Sequence, residues 1–239
     1  MTEFLMSIDT NLIAISGIKG AGKDITALMF QYCLSVSKIF RQYWIFKYFG
    51  KRFTKDWKIT AFAAPIKKVL STLLNVPINK FNSRDFKENY CVEMNTLSIY
   101  KVCDVPTNKI LNDSTFSKKA KNFDEDLKDY YLTIRQLMQV FATEYCRRLF
   151  GSDVWVYSAL KNNTQRLIIS DLRFVNEASV IKKYGGVLIY VDRGLEFGQH
   201  PSENEMKILY DQGLYDIVIK NNGTLKDLFN KIKSICNDK

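Results

Sequence analysis

The chain has 239 residues, of which 46% are hydrophobic and 25% are charged, and its formal net charge is +10. This length and composition are typical of one soluble globular domain with a sizeable core. Five cysteines without CxxC spacing and a single histidine, His200, argue against a zinc centre or a disulfide scaffold.

No stretch of about 18 apolar residues exists, so we expect no membrane span. The first ten residues include Glu3 and Asp9 and lack a long apolar run, so we expect no signal peptide. Because the cysteines also show no pairing pattern, the sequence predicts a protein of the reducing cytoplasm.

The first predicted strand leads into a phosphate-binding loop. An apolar run, Leu12 to Ile15, precedes glycines at Gly17, Gly20 and Gly22, and Lys23 then opens a helix-forming segment. Backbone N–H groups can converge on phosphate oxygens where glycine leaves out the Cβ, and the helix N-terminus adds partial positive charge. The spacing Gly17-x4-Gly22-Lys23 matches the P-loop, in which the lysine contacts the β and γ phosphates.

The residue after this lysine departs from the general motif. Asp24 stands where a Ser or Thr usually binds Mg²⁺. A carboxylate oxygen can still ligate a hard cation, directly or through water, but it adds negative charge beside the phosphates. Asp24 therefore presupposes a metal ion nearby.

A basic region follows the first helix, which is predicted over Thr26–Ile39. Between Lys38 and Lys68 there are nine basic residues and one acidic residue, a net charge of +8 that favours nucleotides, nucleic acid or a membrane surface as partners. Within it, Gln42 to Trp57 interleaves seven aromatic residues with basic ones. Two interpretations stay open: the aromatics stack on bases, or they pack into the core while the lysines reach water.

The next predicted elements are a short strand, Lys58–Ala63, and a helix from Pro65 to about Leu74. Residues 75–122 are polar and irregular, and we interpret them as an insertion or mobile lid. The domain that carries this insertion is predicted to span residues 1–239 as one unit.

A strong amphipathic helix is predicted over Thr133–Phe150. Polar residues four apart share one of its faces: Arg135, Gln139, Thr143 and Arg147. Apolar residues share another face: Ile134, Leu137, Phe141 and Tyr145. The polar stripe either lines a cleft or faces solvent, and the pattern alone favours neither.

Helices and strands alternate through the last third of the chain. The predicted elements are a helix Asp153–Asn162, a strand Arg166–Ser170, a helix Asn176–Tyr184, a strand Val187–Val191, a loop Gly194–Glu203, a strand Tyr215–Lys220 and a helix Thr224–Cys236. This alternation predicts an α/β fold with a parallel sheet of about five strands and helices on both faces. Ligands bind beyond the carboxyl ends of such strands, so Asp171 is a candidate for holding Mg²⁺ or its water.

Five sequence blocks carry a family resemblance. They are SGIKGAGKD (Ser16–Asp24), FAAPIKKVL (Phe62–Leu70), RQLMQVFATEYCRR (Arg135–Arg148), DLRFVNEA (Asp171–Ala178) and HPSE (His200–Glu203). In this order they resemble the phage deoxynucleoside monophosphate kinases, which belong to the P-loop nucleoside monophosphate kinase group. An Asp after the P-loop lysine is typical of that family. Only residues 36–58 and 91–132 lack a recognisable counterpart.

The resemblance implies a P-loop kinase fold and Mg²⁺-dependent transfer of the γ-phosphoryl group of ATP to a deoxynucleoside 5′-monophosphate (dNMP). In a bacteriophage this reaction would serve viral DNA precursor synthesis in the host cytoplasm. It also implies a homodimer and makes nucleic acid an unlikely partner. Phosphoryl transfer requires mainly alignment and charge neutralisation from the protein.

The resemblance also implies roles for individual residues. The implied catalytic residues are Lys23, Asp24, Arg135, Asp171 and Arg173, and Asp24 with Asp171 would place the metal. The implied ATP phosphate-binding residues are Gly17, Gly20, Ala21, Gly22, Lys23, Asp24 and Ile25. The implied dNMP-binding residues are Arg135, Gln136, Gln139, Ala142, Thr143, Trp155, Asp171, Arg173 and Glu177.

Several of these roles have structural alternatives. Trp155 either stacks on a base or packs in the core, and Glu177 either orients Arg173 or contacts a sugar or a metal water. Arg193 is either a lid arginine or a strand-end arginine paired with an acid. The chain departs from the family at Ile25, where Thr is usual, and at Ala142, where Gly is common, so fine substrate contacts differ there.

Two other functions stay open on the sequence. One is a P-loop kinase of another small phosphorylated acceptor, such as a mevalonate phosphate or dephospho-coenzyme A. The other is an ATP-dependent nucleic-acid-binding protein that uses the basic aromatic stretch.

Overall fold

The computed structural model describes residues 10–35, 42–49, 56–94, 101–103, 130–161, 166–198 and 201–237. The strands in these ranges are β1 Leu12–Ser16, β2 Trp57–Thr60, β3 Cys91–Met94, β4 Lys101–Cys103, β5 Tyr130–Thr133, β6 Arg166–Ile169, β7 Val187–Asp192 and β8 Ile217–Lys220. The helices are α1 Lys23–Ser35, α2 Tyr43–Phe49, α3 Ala63–Leu73, α4 Arg84–Asn89, α5 Ile134–Val140, α6 Val154–Lys161, α7 Val175–Lys183, α8 Pro201–Asp211 and α9 Leu225–Asn237. A 3₁₀ helix, Ile78–Asn82, precedes α4, and α5 continues into a π-helical segment, Phe141–Arg147, and a last helical turn, Arg148–Phe150.

The chain forms two compact units. The first unit comprises Met1–Phe62 together with Trp155–Lys239, and the second comprises Ala63–Val154. The expectation of a single domain over residues 1–239 stays a prediction.

The first unit contains a five-stranded sheet in the order β2-β6-β1-β7-β8, and every neighbouring pair is parallel. All five residues of β1 are buried. Alternate residues of a strand face opposite sides of its sheet, so both sides of β1 are covered. The predicted α/β architecture, with five parallel strands and flanking helices, is confirmed.

The core of the first unit lies between the sheet and two long helices. Ile13 and Ile15 of β1 pack in one cluster with Phe30 of α1 and Phe229 of α9. On helix α2, the rings of Tyr43 and Phe46 lie 5.7 and 5.5 Å from that of Phe229.

Part of the basic aromatic stretch from Gln42 to Trp57 packs into the core, as one of its two interpretations expects, and stacking on bases stays a prediction. Its helix α2 packs two aromatic rings into the core, while Trp44 and Tyr48 are 55% and 70% exposed. Trp57, at the start of β2, is buried. Residues 50–55 of this stretch lie outside the described residues.

The second unit contains a three-stranded antiparallel sheet in the order β4-β3-β5. Its strand β3 follows α4, which Ser83 caps by accepting a hydrogen bond from the backbone N–H of Phe86. The 3₁₀ helix, α4, β3 and β4 all lie within the range 75–122, where the sequence shows no clear period. The remainder of that range lies outside the described residues, and the lid interpretation stays a prediction.

The predicted helix over Thr133–Phe150 forms, but its second half does not keep the predicted apolar face. Ile134 and Leu137 are buried as expected, whereas Tyr145 is 40% exposed and Cys146 is buried instead. The π-helical segment causes this shift, because its wider turn advances the inward face from four-residue to five-residue spacing.

Helix α8 is not among the predicted elements. The loop prediction for Gly194–Glu203 therefore extends too far, since α8 begins at Pro201. Proline suits a first helical turn because a backbone N–H at that position has no intrahelical acceptor, so its absence costs no hydrogen bond. The other predicted helices and strands of the first unit form within a few residues of their expected bounds.

Candidate active site

The loop between β1 and α1 has the backbone that its glycines predict. Gly17 and Gly22 have φ angles of +148° and +97°, which residues with a Cβ rarely adopt. A Cβ on Gly17 would lie only 2.7 Å from the carbonyl oxygen of Val191 in β7. The glycines therefore allow both the turn and the close approach of the loop to the neighbouring strand.

Lys23 folds back over this loop from the first residue of α1. Its Nζ donates hydrogen bonds to the carbonyl oxygens of Gly17, at 2.6 Å, and Ile18, at 2.8 Å. Burial, together with the nearby positive charge of Arg173, lowers the pKa of Lys23 to about 8. The ammonium group therefore lies where an additional anion would stabilise its charge.

Four charged side chains act electrostatically on the Lys23 ammonium. Arg173 opposes its charge, whereas Asp24, Asp171 and Glu203 favour it. The carboxylate of Asp171 is fixed by a 2.7 Å hydrogen bond that Oδ1 accepts from the backbone N–H of Phe62. The carboxyl ends of β1, β2 and β6 thus bring the P-loop lysine and Asp171 to one edge of the sheet, as the sequence predicts.

The carboxylates of Asp24 and Asp171 fit a magnesium ion whose remaining ligands come from the substrate and water. Asp24 is exposed and Asp171 is half-buried, and Mg²⁺ in phosphoryl-transfer sites takes one or two carboxylates plus phosphate oxygens and water. No group of three or more His, Cys, Asp or Glu side chains suited to a metal occurs among the described residues. A stable site would therefore depend on the phosphates of a bound nucleotide.

Glu177 fixes the backbone at Arg173. Its Oε2 accepts hydrogen bonds from the N–H groups of Arg173, at 3.0 Å, and Phe174, at 3.1 Å. The side chain is 2% exposed, and it caps the first turn of α7. Glu177 thus fixes the backbone at Arg173, and its predicted roles toward the Arg173 side chain, a sugar or a metal water stay predictions.

The other predicted nucleotide contacts of the first unit lie in the interior or beside it. Trp155 is buried, and Ile25 packs against the core cluster. Thr26, the hydroxyl residue that follows Ile25, is fully buried. His200 lies outside the described residues.

The predicted dNMP-binding residues of helix α5 and its π-helical continuation lie in the second unit. Arg135 forms an ion pair with Glu88 of α4, with 2.8 Å between Nη2 and Oε1. Gln136 closes a capping box with Thr133: its Oε1 accepts from the Thr133 N–H at 2.9 Å, and its own N–H donates to Thr133 Oγ1 at 3.1 Å. The side-chain oxygen of Gln136 thus already has a structural partner. Gln139 and Thr143 are exposed, and Ala142 is half-buried.

Three further residues support the loop and were not predicted to do so. Asn221 donates to the carbonyl oxygen of Ala21 at 2.8 Å, and Arg193 donates to that of Gly20 at 3.1 Å. Tyr215 donates to Ser16 Oγ at 2.9 Å, and burial raises the pKa of Tyr215 to about 12, so it remains a proton donor. A signal existed for Asn221, since it is the polar residue that follows the last strand of a parallel sheet.

The first strand of this parallel sheet leads into a glycine loop and a helix that begins with lysine, and an aspartate follows the neighbouring strand. Together these features define a P-loop nucleotide kinase fold. A family model described as deoxynucleotide monophosphate kinase matches residues 11–232. The chain therefore belongs to the deoxynucleotide monophosphate kinase family, and the predicted family resemblance is confirmed.

Two relatives from viruses are similar to parts of the chain. A protein of Acanthamoeba polyphaga mimivirus, whose name places it in the same family, is 43% identical over 77 residues, which cover 31% of this chain and 38% of that protein. The deoxynucleotide monophosphate kinase of Escherichia phage RB69 is 28% identical over 110 residues, which cover 43% and 44% of the two chains. The matched segments thus span less than half the length of either relative.

No helix among the described residues is both long enough and apolar enough to cross a membrane.

Proposed function

We propose that this chain transfers the γ-phosphoryl group of ATP to the phosphate of a deoxynucleoside 5′-monophosphate. The observation that carries the proposal is the glycine loop with Lys23 hydrogen-bonded across it at the carboxyl end of β1. The charges of Asp24, Asp171 and Arg173 act on this ammonium group. Membership of the deoxynucleotide monophosphate kinase family supports the same acceptor.

The phosphate donor binds in the glycine loop. Backbone N–H groups of Gly20, Gly22 and Ile25 face its phosphates, and the N-terminus of α1 adds partial positive charge. The N–H of Ala21 instead donates to the carbonyl oxygen of Ile18 at 3.0 Å and closes the turn of the loop. Lys23 gives up its contacts with the carbonyl oxygens of Gly17 and Ile18, or shares them, to reach the β and γ phosphates. The added negative charge raises the pKa of Lys23 and keeps it protonated.

Asp24 and Asp171 would hold Mg²⁺, which would supply charge neutralisation at the donor phosphates. The hydrogen bond that Asp171 Oδ1 accepts from the backbone N–H of Phe62 fixes the carboxylate at the carboxyl end of β6. Carboxylates beside the phosphates repel them unless a cation lies between, which is why a kinase with Asp24 depends on the metal.

The chemical step is an in-line displacement. An oxygen of the acceptor's phosphate forms a bond to the γ phosphorus, the bond from that phosphorus to the bridging oxygen breaks, and ADP leaves with the electron pair. Arg173, whose backbone Glu177 fixes, stabilises the charge on the transferring group with its guanidinium.

Residues of helix α5 and its π-helical continuation bind the acceptor. Arg135 clamps the acceptor phosphate, because a guanidinium engages phosphate with two donors, and it exchanges Glu88 for this anion. Gln139, Thr143 and the side-chain amide of Gln136 contact base or sugar, and Ala142 lies on the same helical stretch. Trp155 stays a candidate for stacking on the base. As a family member among viral relatives, the enzyme would serve DNA precursor synthesis in a host cytoplasm, as a homodimer and without nucleic acid.

A product assay tests this function. Purified protein is incubated with ATP, Mg²⁺ and each of the four dNMPs, and the products are separated by ion-exchange chromatography. We expect a dNDP from at least one dNMP, with equimolar ADP. Dephospho-coenzyme A and a mevalonate phosphate serve as competing acceptors.

The same assay includes single-stranded DNA as a third condition. Phosphorylation of a competing acceptor alone would replace the proposed substrate class. If no dNMP yields a dNDP while single-stranded DNA stimulates ATP hydrolysis, the proposed function is wrong and the exposed Trp44 and Tyr48 become candidate base contacts.

A further inference from the structure

Two side chains from the carboxyl ends of β7 and β8 hold carbonyl groups of the phosphate-binding loop from outside. Asn221 directly follows β8, and its amide nitrogen donates a buried 2.8 Å hydrogen bond to the carbonyl oxygen of Ala21. Arg193 directly follows β7, and its Nη1 donates to the carbonyl oxygen of Gly20 at 3.1 Å. Two successive peptide groups of the loop are therefore fixed by neighbouring strands.

Asn221 is itself immobilised. Its backbone N–H donates to the carbonyl oxygen of Asp192 at 2.6 Å, which extends the pairing of β8 with β7. The residue is 9% exposed, and a Cβ on Gly22 would lie 2.6 Å from its Nδ2. Because a carbonyl oxygen only accepts, the nitrogen end of this amide must face Ala21.

The hydrogen bond from Asn221 determines the orientation of the next N–H group. In a trans peptide the carbonyl oxygen and the following N–H point in opposite directions. Holding the carbonyl oxygen of Ala21 against Asn221 therefore turns the N–H of Gly22 to the other side of the loop. A loop whose N–H groups are already oriented loses less freedom when it binds an anion.

We propose that Asn221 is a positioning residue that pre-orients the phosphate-binding loop for the donor nucleotide. It acts through the Ala21–Gly22 peptide and does not itself contact substrate. The inference rests on the proposed function only in taking ATP as the donor, because it concerns the donor's phosphates and leaves the acceptor open.

Matched variants of the full chain test this role. Asn221→Ala removes the donor, and Asn221→Asp keeps the shape but places a carboxylate oxygen against the carbonyl of Ala21. Asn222→Ala is the control, because Asn222 is the adjacent residue of the same type and is exposed. Binding of ATP with Mg²⁺, and of each dNMP alone, is measured by titration calorimetry, and the melting temperature is recorded for each variant.

We expect both Asn221 variants to bind ATP on the order of tenfold more weakly, because the buried carbonyl oxygen of Ala21 loses its hydrogen-bond donor. The Asp variant should bind ATP no more tightly than the Ala variant. The affinity of the Asn221 variants for dNMP should stay within about twofold of wild type, a difference of roughly 0.4 kcal/mol. The Asn222→Ala variant should bind both ATP and dNMP within the same range.

Three results would overturn the inference. They are unchanged ATP affinity in folded Asn221→Ala, equal weakening of ATP and dNMP, and failure of both Asn221 variants to fold, which would assign the residue to domain stability alone. If wild-type protein binds ATP but phosphorylates no dNMP, the proposed function fails while the ATP titration still decides the role of Asn221.

Discussion

The proposed donor-binding residues of the first unit and the proposed acceptor-binding residues of the second unit differ in how firmly their side chains are held. In the first unit, Lys23, Asp171 and the loop carbonyls each have hydrogen-bond partners from adjoining strands or from the loop itself. In the second unit, Gln139 and Thr143 are exposed, and Arg135 is held by one ion pair whose side chains are 37% and 36% exposed. An exposed ion pair adds little stability, so the substrate can displace it at low cost.

This difference has a consequence for function. A preorganised donor site binds the triphosphate with little rearrangement, and removal of one of its charges cannot be compensated by neighbours. An acceptor site built from solvent-accessible side chains adapts to different bases, and each of its residues contributes a smaller part of the binding free energy. The following variants test this contrast, in order of decreasing effect.

Replacement of Lys23 by Ala should have the largest effect. The variant removes the ammonium group of Lys23 that opposes the donor phosphates, and we expect turnover to fall about a thousandfold with the fold intact. Steady-state kinetics and circular dichroism measure the two properties. Lys226→Ala, at an exposed lysine of α9, is the control and should match wild type. Full activity in Lys23→Ala would refute the phosphate-binding role of this loop.

Replacement of Arg135 by Ala should act mainly on the acceptor. We expect KM for dNMP to rise on the order of a hundredfold, because charge-assisted hydrogen bonds to phosphate are lost. KM for ATP should change less than about threefold. Arg148→Ala, an exposed arginine on the continuation of the same helix, should change neither constant. An unchanged dNMP dependence in Arg135→Ala would remove this residue from the acceptor site.

The pH dependence should report the lowered pKa of Lys23. The free protein loses the Lys23 proton with a pKa of about 8, so kcat/KM for ATP should fall about tenfold per pH unit above that value. Lys23→Arg keeps its charge in this range and should lack the descending limb, even if its overall activity is lower. A wild-type profile that stays flat to pH 10 would contradict the assignment.

The same shift makes a prediction for stability. Between pH 8 and 10.5 the unfolded chain retains the lysine proton that the folded chain has lost. The unfolding free energy of wild type should therefore rise with pH in this window relative to Lys23→Ala. Urea titrations at pH 8 and pH 10 measure this change, and an opposite slope would show that the folded state stabilises the charged form.

Replacement of Thr143 by Ala should have the smallest effect. Thr143 is exposed, so its hydroxyl exchanges a water hydrogen bond for one to the substrate. We expect kcat/KM to fall only about threefold for the preferred dNMP, and the ranking of the four dNMPs to change. A loss as large as that of Arg135→Ala would mean that the acceptor half is as firmly organised as the donor half.

The sequence predicted the first unit well because its signals are local. Glycine spacing and Lys23 specify the loop, and the apolar strand before Asp171 specifies the second carboxylate through the rule for parallel sheets. Asn221 and Tyr215 escaped prediction because their partners, Ala21 and Ser16, lie about 200 residues away in the chain. Only the strand order β1-β7-β8 brings these pairs together.

The second unit was harder to predict for a different reason. The four-residue spacing from Leu137 to Tyr145 assumes a regular α-helix, and the π-helical segment moves burial to Cys146 instead. Such a wide turn depends on packing around the helix and leaves no mark in hydrophobic periodicity. The role of Gln136 in the capping box was readable, since Thr133-x-x-Gln136 matches that motif.

The measurement that tests the proposed reaction most directly follows the γ-phosphoryl group itself. ATP labelled at the γ phosphorus is mixed with Mg²⁺, the protein and a single dNMP, and the labelled product is identified by chromatography. We predict that the label appears in dNDP at its β phosphorus, with none in inorganic phosphate beyond the background of Lys23→Ala. Label released only as inorganic phosphate, with the dNMP unchanged, would contradict a deoxynucleotide kinase.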